Sequence, residues 1–241
     1  MHFLVLLYDD ESGATEPGTP EFDAELEGYA AFEELAGGAI VGGEALLPSA
    51  TARTVRHDGA QPRITAGPFA EVAEVLGGLY VLESPTLDDA IEMVRLIPAA
   101  AQPNGAIEVR PMVQWSDRRP ERGGDRDAQV LATIHGDETA DEEPATDAWD
   151  EGAAGHGRFA EAAGDVLVAG GAVHPSTTAT TVRVRDGELL VTDGPFSELT
   201  EVVGGFYVLE GTPERVDEVA RQIPVPDGGA VELRPIMDVD G

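Results

Sequence analysis

The chain has 241 residues, 42% of them hydrophobic, with 46 acidic residues against 15 basic ones and a formal charge of −31. Such a length holds two domains of ordinary size with a core each. The charge argues against a surface made for nucleic-acid phosphates or anionic lipid, and the absence of cysteine removes disulfides, thiolate metal sites and cysteine nucleophiles.

The first predicted element is Phe3-Leu-Val-Leu-Leu-Tyr8, the longest apolar run. It is far shorter than the ~20 residues of a membrane-spanning helix. It has no basic leader and stops at Asp9-Asp10, so it reads as a buried central strand rather than a signal peptide. A cytoplasmic protein is expected, with solubility as the ordinary role of its acidity. Residues 9–20 read as a loop. Phe22, Leu26, Tyr29, Phe32 and Leu35 fall at helical spacing and predict a helix over 21–35 with those side chains inward. Gly37-Gly38 ends it. A strand is expected from Ala39 toward Leu47, broken at Pro48. The runs 51–56 and 63–65, joined through Asp58-Gly59, carry the signal of a β-hairpin. Pro68 can open a short helical turn that Gly77-Gly78 closes before a strand over 79–83. A second amphipathic helix is predicted over 86–96, capped by Thr86 and stopped at Ile97-Pro98. A last strand runs from Ala106 to Val113.

Residues 116–127 hold no apolar side chain apart from Pro120 and read as a solvated linker. The same order then repeats: strand 130–134, helix 145–163, strand 166–172, a hairpin through Asp186-Gly187, strand 206–210, helix 213–222 and strand 230–237. Thr65-Ala-Gly-Pro-Phe-Ala-Glu71 answers Thr192-Asp-Gly-Pro-Phe-Ser-Glu198, and Gly77-Gly-Leu-Tyr-Val-Leu-Glu83 answers Gly204-Gly-Phe-Tyr-Val-Leu-Glu210, at an offset of 127 residues. The chain is therefore a tandem duplication, with domains expected at 1–115 and 128–241.

Each copy has the order of an α+β, ferredoxin-like βαββαβ unit, with an antiparallel sheet and two helices on one face. Phe3, Val5 and Leu7 alternate with Leu4 and Leu6, so the helix-free face is apolar too and needs a cover. The tethered second copy supplies one at high effective concentration. The two sheets are expected to pair face to face as an intramolecular pseudo-dimer.

The stretches 42–51, 180–187, 192–198, 204–210 and 232–236 together resemble the YCII-related, DGPF-motif family, and the resemblance covers both copies. It implies a dimeric α+β barrel. It also implies a family mostly of unassigned role. Some distant relatives with this fold act as lyases or isomerases through a His-Asp pair, and others of the DGPF type accompany sigma factors of the extracytoplasmic-function class. The copies depart from the pattern unequally. The motif aspartate is Asp193 in copy two but Ala66 in copy one, and Glu44 is matched by Gly171. Tyr8 matches His135, and Leu47 matches His174.

Asp193 is either a turn residue accepting backbone N–H bonds or a general base. His135 and His174 end the first two strands of copy two. Convergence with Asp137 or Asp193 would make them a proton-transfer dyad or a metal site; histidines without a function are the plain alternative. No metal or cofactor is expected, because the Gly-Gly pairs lack phosphate-loop spacing and the acidic run 137–147 lacks that of a calcium loop. Glu108-x-Arg110 and Glu232-x-Arg234 put opposite charges on one strand face. They are either inter-sheet ion pairs, or Arg110 and Arg234 grip a ligand carboxylate or phosphate. Glu44, Tyr80 and Tyr207 complete the expected ligand-binding set. The expected function is binding of a small metabolite between the sheets, with Asp193, His135 and His174 as the catalytic residues of a lyase or isomerase. The alternative is a non-catalytic module that binds a protein partner in sigma-factor regulation.

Overall fold

The computed structural model describes residues 1–13, 15, 18–57, 61–70, 74–119, 128–137, 144–196 and 201–238. The expected Asp58-Gly59 turn, the linker beyond Arg119 and residues 138–143 of the acidic run lie outside them. Two compact units cut across the repeat. Unit 1 is Met1–Gly43, Val72–Pro111 and Thr177–Phe196; unit 2 is Glu44–Glu71, Met112–Ser176 and Ser197–Gly241. Each unit holds the helices of one copy and the hairpin of the other.

In unit 1, β1 (His2–Asp10) is central, antiparallel to β5 (Glu74–Glu83) on one side and to β6 (Ala106–Asp117) on the other. β2 (Ile40–Ala45) flanks β5. The hairpin of copy two, β9 (Thr180–Arg185) and β10 (Glu188–Asp193), adds to β6 through the pairs Ile107↔Val182, Glu108↔Thr181 and Val109↔Thr180. Its two-residue turn has positive φ at both Asp186 (52°) and Gly187 (79°), as a hairpin that keeps strand twist requires. Register puts Phe3, Val5, Tyr80, Leu82, Val109 and Val182 on one pleat face, packed with α1 (Pro20–Ala36), α2 (Leu87–Val94) and α3 (Pro98–Ala101). Leu4, Leu6, Leu79, Val81, Glu108 and Arg110 share the opposite face and are buried as well. Both faces of β1 are thus out of water, as its unbroken apolar run demands.

α1 opens on the Thr19 cap, whose side chain accepts the Phe22 N–H, with Pro20 at the first position and Glu21 and Asp23 at the positive end. It differs from expectation in its buried face. Tyr29, Phe32 and Ala36 make the contact with the core, while Leu26 and Leu35 are 43% and 69% exposed. At 3.6 residues per turn those leucines stand roughly 80–100° round the helix from that stripe.

In unit 2, β7 (Gln129–Asp137) lies between β11 (Glu201–Glu210) and β12 (Ala230–Pro235). β8 (Leu167–Val173) pairs with β11 and with the second half of β6. The hairpin of copy one, β3 (Arg53–Arg56) and β4 (Arg63–Ala66), pairs with β12. α4 (Asp147–Ala163) and α5 (Pro213–Ala220) cover Ala132, Ile134, Leu209, Val231, Leu233 and the hairpin's Val55. The α+β class and antiparallel order of each copy hold.

Two local expectations are corrected. The double glycines lie inside β5 and β11, not at the end of a turn, and each marks a bulge where the pairing with the central strand shifts. Side-chain space is lacking at Gly205, where a Cβ would come 2.8 Å from the Gly171 carbonyl oxygen, but not at the bulged Gly204, which has nothing within 4 Å. Residues 116–119 are not a solvated tether. β6 runs to Asp117, and the Arg118 N–H donates to the Val168 carbonyl at 2.8 Å. The helix α2 does end ahead of Ile97, which is extended with ψ at 129°, as a residue before proline should be; Pro98 then opens the separate helix α3, where its missing N–H costs nothing.

Candidate functional site

Each hairpin is followed by a glycine held at positive φ, Gly67 at 102° and Gly194 at 99°, where a side chain would be strained. Both turns are fixed alike. The Gly194 N–H donates to Ala179 O at 2.8 Å, and Thr181 Oγ1 to Gly194 O at 2.9 Å. The Gly67 N–H donates to Ala52 O at 2.8 Å, and Thr54 Oγ1 to Gly67 O at 2.9 Å. The next prolines deliver Phe196 and Phe69 to the sheet. The Phe196 N–H donates to Glu108 Oε2 at 3.0 Å in unit 1, and the Phe69 N–H to Glu232 Oε2 at 2.8 Å in unit 2. The Gly-Pro-Phe motif is a clasp: it fastens the hairpin of one copy to the Glu-x-Arg strand of the other.

The charges differ between the twins. Burial pushes the Glu108 carboxyl above its ordinary value, against the pull of Arg110, whose Nη1 is 3.8 Å away, and of the Phe196 N–H. Arg234 lies closer to its partner, with Nη1 3.1 Å from Glu232 Oε1, and its Nε donates to Leu47 O at 3.1 Å. The phenylalanine rings are clamped by one strand residue and one arginine. Phe196 lies 5.0 Å from the Tyr8 ring with the Arg183 guanidinium 5.0 Å above it. Phe69 stacks on His135 at 4.9 Å with Arg56 at 4.7 Å. His135 Nε2 stands 2.9 Å from Thr133 Oγ1. Unit 1 has Leu6 and Tyr8 at the matching places, so only the unit 2 twin holds an imidazole.

The other predicted site residues scatter. Asp193 is exposed at the end of β10 in unit 1, whereas His135 and His174 belong to unit 2. β11 lies between β7, which carries His135, and β8, which ends one residue before His174, and this sets the two strands ~10 Å apart. Tyr80 and Tyr207 sit on the helix-covered pleat face, opposite to that of the Glu-x-Arg pairs, because Tyr80 registers with Val5 and Tyr207 with Ala132. The Tyr80 hydroxyl donates to Glu33 at 2.9 Å, and the Tyr207 hydroxyl lies 2.9 Å from His156 Nδ1. Burial pushes the Tyr207 phenol up to about 12 and the His156 imidazole down. Glu44 is buried against Arg119, at 2.7 Å. Arg119 also pairs with Asp117 at 2.7 Å and donates to Gln129, whose amide donates to Glu210 at 2.7 Å. Burial opposes the Arg119 charge, but the Asp117 hydrogen bond and Glu44 outweigh it and raise its affinity for the proton. The polar composition of 116–127 hid this network, and nothing in the spacing of Thr133 and His135 announced their contact. Among the described residues no group of three or more His, Asp or Glu is placed to hold a metal ion.

The model of the YCII-related domain matches residues 1–116 and again 127–240. The chain belongs to the YCII-related domain family. An uncharacterized protein of Rhizobium meliloti (strain 1021), R00369, is 31% identical over 117 residues, which span 48% of this chain and 94% of that relative. A solved structure of a putative chlorite dismutase aligns with 98% of this chain and 94% of its own, at 11% identity and a TM-score of 0.41.

Proposed function

We propose that this YCII-related protein binds a small carboxylate metabolite on the helix-free face of the unit 2 sheet and moves a proton there, as a lyase or isomerase does. The supporting observation is His135, held between the Phe69 ring and Thr133 Oγ1. By strand register it shares a face with Thr54, Arg56, Glu232 and Arg234. Imidazole is the side chain best matched to proton transfer near neutral pH, and the planar fork of Arg56 suits a substrate carboxylate. In the reaction His135 takes the proton from the carbon next to the carboxylate. It returns the proton to a neighbouring carbon in an isomerisation, or hands it to the departing group in an elimination. We assign the base to His135 ahead of His174 and Asp193.

The test is a thermal-shift screen of small carboxylates on the wild type, repeated with His135→Gln and Thr133→Val. A ligand that stabilises the wild type should lose most of its effect in His135→Gln, while both variants keep the melting temperature of the free protein. Equal binding by wild type and His135→Gln would remove the assignment. A second reading, a non-catalytic interaction module, draws on Leu190 and Val191, which are 46% and 47% exposed on β10. It is favoured if Leu190→Asp abolishes association with a sigma factor of the extracytoplasmic-function class and leaves carboxylate binding intact.

A further inference from the structure

We infer that unit 2 carries a second binding site, for an amphiphile with a short apolar body and a carboxylate head, in the hollow beside the start of α5. The hollow measures about 360 Å³, and its walls include Arg53, Ala128, Val130, Thr212, Pro213 and Pro235. That volume lies within the range of small-molecule sites. Strand register sets Arg53 opposite Leu233 and Val130 opposite Pro235, on the helix-bearing face. The His135 cluster stands on the other face of the same sheet, so the two sites are independent.

Among the described residues of the lining, Arg53 is the one that is charged. It pairs with Asp217 on α5, and the two side chains are 28% and 25% exposed. The pair is part-buried, and guanidinium has five N–H donors, more than one carboxylate can accept. The N-terminal end of α5, capped by Thr212 with Pro213 first, borders the same hollow, where the helix dipole favours a negative group. A carboxylate head therefore fits between Arg53 and that first turn, with its chain laid over Val130, Ala128 and Pro235. The position matching Arg53 in the other copy is Thr180, which is buried, so unit 1 offers no cation there.

Isothermal titration of the whole protein with octanoate, octanol and octylamine tests the site. Octanoate should bind saturably at one site, octanol at least roughly tenfold more weakly, and octylamine not at all. Arg53→Gln should reduce octanoate to the level of octanol. Ala128→Trp should fill the hollow and abolish both. Asp217→Asn should tighten octanoate several-fold, because it releases donors of Arg53; urea midpoints establish that each variant is folded. Equal binding of octanoate and octanol, undiminished binding in folded Ala128→Trp, or weaker binding in folded Asp217→Asn would overturn the inference. Should Ala128→Trp fail to fold, the Arg53 and Asp217 variants decide alone.

Discussion

Glu108 poses a contest that a single substitution can decide. Its carboxylate stands 3.8 Å from the Arg110 guanidinium, and both side chains are almost wholly buried. At an effective dielectric of ~20 the gross attraction at that distance is about 4 kcal/mol. Withdrawing the carboxylate from water costs several kcal/mol as well, and its raised proton affinity says that burial wins. Folding therefore favours protonated Glu108. The stability this contributes is complete below the ordinary value of 4.5 and is lost as pH rises through the raised folded value. Glu108→Gln copies the protonated form and still accepts the Phe196 N–H. At neutral pH it should be at least as stable as the wild type, and its advantage should grow from about pH 5 upward. Glu108→Ala instead leaves the Phe196 N–H without its acceptor and opens a void, so it should cost about 2–4 kcal/mol. Urea unfolding followed by tryptophan fluorescence, with unchanged m-values, reads both differences. If Glu108→Gln costs about 3 kcal/mol or more at neutral pH, the ion pair outweighs burial and the reasoning fails.

Gly67→Ala and Gly194→Ala meet no atom within 4 Å of the new Cβ, so only the positive φ resists them; each should cost about 1–3 kcal/mol in urea, and asparagine less. Arg119→Met removes the 2.7 Å ion-pair partner of the buried Glu44 carboxylate and should cost about 3–5 kcal/mol, most of it recovered by adding Glu44→Gln. Burial lowers the His156 proton affinity, so folding favours the neutral ring. Wild-type stability should then fall as pH drops through the ordinary value of 6.5; His156→Gln should flatten that part of the profile in a thermal-denaturation series.

The order of elements was legible because each carries a local signature: Thr19 before Pro20, Asp186-Gly187 between alternating runs, Leu4 and Leu6 filling the second face of β1. Which copy's sheet receives a hairpin was not legible. Val55 and Val182 have the same alternation wherever they pair, and a swap between near-identical partners leaves every local pattern intact. The helix-facing tyrosines were misjudged for a related reason. Period-two alternation separates two faces of a strand but does not say which one the helices take, and only the registers Val5↔Tyr80 and Tyr207↔Ala132 fix it. Arg119 was lost because charge in a sequence reads as solvation, whereas three partners have brought this one inside.

The duplication has kept one thing and let another go. Gly-Pro-Phe, the glutamate that receives its N–H and the arginine two residues further on stand in both units. Their common task is mechanical, since each fastens a hairpin that its own copy gives away, and losing either clasp would free two strands from a sheet edge. Mechanical need acts equally on both copies and keeps them alike. The proposed proton transfer imposes no such symmetry, because one imidazole suffices for it. Leu6 and Tyr8 could therefore settle into one twin while Thr133 and His135 stand in the other, without cost to either clasp. Ala66 and Asp193 fit the same account. Both positions are exposed at the end of a hairpin strand, outside the contacts that hold the clasp, so the motif aspartate is less constrained than the positive-φ glycine and the phenylalanine that make those contacts.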